Sequence, residues 1–158
     1  MTALVSTASL STVPVSRREE AVTIYLEAAR DRLTQALAAS GPEAVASIKA
    51  EIATAAEATR QLGLSREIQT DAQEMVRRAE FTLGRAIRQG QTEGIVNSNG
   101  RPPKTLTESK SFSPSTLMPG GTTTVETYAM ADAGPEVFEA ALAEAKTEGN
   151  VSRANVVR

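Results

Sequence analysis

Four arginines within twelve residues, Arg77, Arg78, Arg85 and Arg88, are the densest chemistry in the chain. Advancing 100° per residue along a helix places all four within one arc of about 100°. Segment 77–90 holds a single acid, Glu80. A cationic helical stripe of this kind contacts phosphates or an acidic partner surface. The plain alternative is a solvated face, because Arg85 and Arg88 suit a helix C-terminus and Glu74 lies four residues before Arg78.

Two further sites carry the same kind of chemistry. Gly100-Arg101-Pro102-Pro103-Lys104 follows the pattern of a minor-groove hook. In such arms arginine lies in the narrow groove while proline keeps the backbone extended. An ordinary linker has the same composition. Near the end, a helix, Gly149 and a helix capped by Ser152 give a helix-turn-helix outline, with Arg153 and Asn155 where recognition residues sit. A small helical hairpin packed on the rest of the chain fits that outline equally. Together Arg77, Arg78, Arg85, Arg88, Arg101, Lys104, Arg153 and Asn155 form the expected surface for nucleic acid or an acidic partner.

Catalytic chemistry is poorly provided for. The chain has no His and no Cys, so the commonest general base, the commonest metal ligand and any thiolate are missing. Pro119-Gly120-Gly121-Thr122 is no phosphate loop, since no lysine follows the glycines and no strand precedes them. Glu19 and Glu20 point to different helix faces and make a poor acid–base pair. The expectation is a protein without enzymatic activity, cofactor or metal.

The elements that position these residues are legible from periodicity. Hydrophobic residues make up 41% of the 158-residue chain and aromatics only 3%, so the core must come from Ala, Leu, Ile and Val. The net charge of −2 exerts no global pull on nucleic acid or anionic lipid. No apolar run approaches the ~20 residues that span a bilayer. The absence of cysteine fits a cytoplasmic setting.

Ser16 and Glu19 read as a capping box opening a first helix with the seam Val22, Leu26, Ala29, Leu33 and Ala36. Pro42 opens a second, with Val45, Ile48, Ile52, Ala55, Thr59 and Leu62; Gly63 closes it and Leu64 folds back. Ser65 caps a third, with Ile68, Ala72, Met75, Ala79, Leu83 and Ala86, stopping at Gly90. Short connections force antiparallel neighbours. Seams so rich in alanine fill a monomeric core poorly, which predicts a dimer or higher oligomer joined through Leu26, Leu33, Ile48, Ile52, Met75 and Leu83.

Periodicity then lapses through Asn97–Pro103, Ser113–Ser115 and Pro119–Thr122, all turn chemistry. It resumes at Pro135 with Val137, Phe138, Ala141, Leu142 and Ala145 on one face. The final helix from Ser152 is too short to be stable alone, so a continuing chain or a partner must complete it. The predicted fold is all-α: a disordered tail 1–15, a three-helix antiparallel or coiled-coil-like unit 16–90, an irregular arm 91–129, and a C-terminal unit 130–158.

Two stretches resemble a known group. Ile68–Ile87, with Arg78-Ala79-Glu80 followed by Leu83-Gly84, resembles a helical module of phage, prophage and mobile-element regulatory proteins. Phe138–Lys146 with Ser152–Arg158 resembles the close of the same proteins, which are loosely similar to plasmid-partition (ParB-like) DNA-binding proteins. Where those relatives place a helical DNA-reading unit, this chain has the Gly/Thr/Pro stretch Ser113–Thr124, which shifts weight to the bundle. The resemblance implies a regulatory or accessory protein acting through DNA or a DNA-bound partner. The alternative is a protein-interaction module (inhibitor, adaptor or assembly factor) whose arm 91–129 orders on a partner protein. The partners implied are a second copy, DNA or that protein, and no membrane.

Overall fold

A computed structural model describes residues 13–39, 41–96, 114–118 and 121–158. The described residues form seven helices and no strand: α1 (Val15–Ala38), α2 (Pro42–Gln61), α3 (Arg66–Thr92), α4 (Pro114–Leu117), α5 (Gly121–Ala133), α6 (Pro135–Thr147) and α7 (Arg153–Val157). The fold is all-α, as the periodicities predict.

The three long helices start and stop where backbone chemistry dictates. Pro42 opens α2, since its missing N–H is an orphan at that position anyway. At the far end Gly63 takes φ +61 and the Leu64 amide returns to the Thr59 carbonyl at 3.1 Å, which turns the chain into α3. Ser65 caps α3 by accepting from the Ile68 amide. The predicted box at Ser16 does not form: Pro14 precedes the first helical residue, Val15, and no side chain caps α1. The tail therefore ends earlier than residue 15. Glu19 instead accepts the Ser65 amide at 2.8 Å, which ties the starts of α1 and α3 to one end of the bundle. With α2 running back between them, the three helices alternate in direction.

All six residues assigned to an oligomer seam lie in the chain's own core. Leu26 and Leu33 of α1, Ile48 and Ile52 of α2, and Met75 and Leu83 of α3 are buried against one another. The seam of α2 drifts in its last turns, burying Ala56 rather than Ala55 and leaving Leu62 exposed. A 3.6-residue helix departs from a strict heptad in just this way. Leu64, Val96, Leu117 and Met118 add large groups to this core.

The irregular arm is shorter than predicted. α3 continues past Gly90 to Thr92, and Gly94 at φ +77 lets the chain fold back until Val96 packs on Gly90. Residues 121–133 are helical, not extended. Residues 97–113 of the arm lie outside those described.

α3 is the axis of the molecule. α1 and α2 cover one side of it, and α5 and α6 cover the other, with α7 packed on α5 and α6. The second core gathers Phe81 of α3, Met130 of α5, Phe138 and Leu142 of α6, Val151 and Val156. The Phe81 and Phe138 rings stack at 4.2 Å between centroids. α5 crosses α3 at Gly84, where an added Cβ would meet the Thr127 carbonyl oxygen at 2.8 Å and Ala131 Cβ at 2.9 Å. The five-residue terminal helix, too short to be stable alone, packs against α5 and α6. Among the described residues no helix is long and apolar enough to cross a membrane.

Candidate functional site

The arginine stripe of α3 faces the chain's own carboxylates. Arg77 is 8% exposed, and its Nη1 donates to Glu80 Oε2 at 2.6 Å. Glu80 is 1% exposed and accepts a second fork from Arg153, whose Nε lies 3.2 Å away. Arg153 also faces Glu126 of α5 at 3.5 Å. One carboxylate thus answers two guanidinium groups from opposite elements. Burial pulls the Arg77 pKa down, Glu80 opposes that, and the neighbouring charge of Arg153 adds to the lowering. Among the described residues, Arg77 Nε and Thr127 Oγ1 are buried and find no hydrogen-bond partner in the protein.

Arg78 donates through Nε to Glu74 at 3.0 Å and through both Nη atoms to Glu139 of α6. Arg88 forks onto Asp132 of α5 at 3.0 and 2.7 Å, with its guanidinium 4.3 Å from the Tyr128 ring centre. Only Arg85 of the four points away from a carboxylate partner; it is exposed and lies 5.7 Å from the Phe81 ring centre. Three of the four arginines of the stripe are thus paired with carboxylates of the chain itself, while Arg85 and Arg88 remain exposed. The stripe is the seat of the C-terminal unit.

The remaining expected residues divide. Arg153 belongs to the Glu80 cluster described above. Asn155 braces the α6–α7 turn, donating to Glu148 at 2.8 Å and to the Asn150 carbonyl at 2.9 Å. Neither is presented as a recognition residue. Arg101 and Lys104 lie outside the described residues.

Glu74 completes the inter-helix charge system. Lys146 of α6 donates to it at 2.7 Å and also pairs with Asp71 at 2.8 Å. Burial pushes the Glu74 carboxyl up, but bonds from Lys146 and Arg78 outweigh that and hold its pKa below the ordinary glutamate value.

Residues 146–152 cross the N-terminal half of α3 and leave an open groove on each side. One, of about 250 Å³, runs between α1, α3 and α6 and contains the Asp71, Glu74 and Lys146 pairs beside Glu27 and Arg30. The other, of about 580 Å³, is lined by Arg60, Arg66, Gln69, Thr70, Gln73 and residues 149–152. No carboxylate lines this larger groove. Its α3 wall is a polar stripe at spacings of three, four and seven, Arg66, Gln69, Thr70 and Gln73. That pattern is visible in the sequence, but uncharged amides drew no attention beside the arginines.

Comparison with protein-family models, with curated proteins and with solved structures gives no match.

Proposed function

We propose that the protein is a non-enzymatic interaction module, of adaptor or inhibitor type, that engages a partner protein through the polar groove beside α3. The observation that supports this reading is the occupation of the arginine stripe. Arg77, Arg78 and Arg88 are matched by Glu80, Glu74, Glu139 and Asp132, so their charge is already neutralised within the chain. Phosphate recognition depends on unneutralised cations that displace counterions from the backbone. The larger groove keeps open polar groups, whereas three of the four arginines of the stripe are already paired and only Arg85 is left open.

A regulatory protein that acts directly on DNA is the competing reading, and it is tested by titration. Anisotropy of a labelled random duplex in 50 mM salt should show no saturable binding at protein concentrations up to about 100 µM, the weak end of non-specific affinity. Saturable binding that weakens steeply with salt, with a slope equivalent to about four phosphate contacts, would return the function to DNA.

A further inference from the structure

We propose that the larger groove binds an acidic peptide segment in extended conformation, with carboxylate side chains on Arg60 and Arg66 and the peptide main chain along Gln69, Gln73 and Asn150. This rests on the interaction-module reading and specifies the partner's chemistry.

Several polar groups along this groove remain open. Arg66 is exposed and makes no ion pair among the described residues, which leaves a whole guanidinium fork. Arg60, at the end of α2, holds Glu57 with one nitrogen at 3.2 Å and keeps its other donors. Gln69 spends its amide nitrogen on the Leu64 carbonyl at 2.7 Å, so its oxygen is left to accept. Gln73 has no side-chain hydrogen bond among the described residues and offers both a donor and an acceptor. Asn150 uses its oxygen on the Ser152 amide at 3.3 Å and keeps its nitrogen to donate.

This inventory separates two kinds of anionic partner. A phosphodiester backbone presents acceptors alone, so a groove built for it needs donors alone. A peptide main chain presents one donor and one acceptor per residue, which side-chain amides match in both senses. The two arginines then select carboxylates, which they hold as paired, planar hydrogen bonds. No carboxylate is among the lining residues, and Glu57 engages only one nitrogen of Arg60. The groove is open along its length, with a volume of about 580 Å³, which suits a segment laid across the surface.

The test is selection of a random decapeptide display library on the immobilised full chain, followed by anisotropy with the enriched peptides. Enriched sequences should carry Asp or Glu at two positions. Their affinity should fall at least tenfold on Arg60→Gln with Arg66→Gln, a variant that should melt at the wild-type temperature because both side chains are exposed. Selection on Arg66→Glu should instead enrich lysine or arginine. Enriched peptides without acidic residues, or with unchanged affinity for the double variant, would place the contact elsewhere. That outcome overturns the groove assignment and leaves the interaction-module reading standing. No enriched peptide, together with saturable binding of a labelled oligothymidine, overturns both.

Discussion

Glu80 is the residue on which the α3 charge cluster turns. It is 1% exposed and is the carboxylate that pairs with Arg77. Removing one partner of a buried pair leaves an uncompensated charge in a medium that solvates it badly, at about 3–5 kcal/mol. Glu80→Ala should therefore destabilise the protein by about that amount in chemical denaturation. Glu74 makes a different prediction because its carboxyl is held below the ordinary value, about 4.3. A depressed folded-state pKa gives stability that is complete above the unfolded value and is lost as pH falls through the folded one. The stability difference between wild type and Glu74→Gln should be about 1 kcal/mol at pH 7 and should vanish as pH falls below the ordinary glutamate value and through the depressed folded-state one. The arginines themselves were legible in the sequence. Of their acids, Glu74 and Glu80 lie within four residues and were legible too. The specific partners Asp132 and Glu139 were not, because they lie 44 and 61 residues from the arginines they answer. Local periodicity holds no information about contacts at that separation.

Helices α2 and α3 follow from seam, cap and glycine signals, since those act within a few residues of the ends they set. Helix α1 follows from its seam alone, because the Ser16 box does not form. Helix α5 was missed for an equally local reason. Gly121-Thr122-Thr123-Thr124 combines glycine with β-branched residues of low helix propensity, and it reads as turn chemistry. Tertiary packing overrides that preference: Thr127 and Met130 are buried, and the helix lies against Gly84. Gly84 itself gave only a weak signal, as glycine inside a helix normally costs about 1 kcal/mol relative to alanine. Here the close crossing requires it. Gly84→Ala should gain that propensity and still destabilise the protein, by a net of about 1–3 kcal/mol, because a new methyl group meets the α5 backbone. A denaturation midpoint at or above wild type would show that α5 can move aside without cost.

At the scale of the whole molecule, two layers are built on one helix. The alanine-rich seams, which alone argue for a second copy, share one core within the chain with Val96, Leu117 and Met118. Any association of copies must then use a surface other than Leu26, Leu33, Ile48, Ile52, Met75 and Leu83. The opposite side of α3 is closed by α5, α6 and α7, through one aromatic stack and the ion pairs described above. The central claim is that the α3 arginines hold this second layer in place. Urea denaturation of the full chain carrying Arg77→Gln, Arg78→Gln and Arg88→Gln tests it most directly. The account predicts a loss of about 3 kcal/mol or more, which lowers the midpoint by at least about 1 M. A midpoint indistinguishable from wild type would contradict it, because arginines that can be neutralised without loss of stability are not holding the fold together.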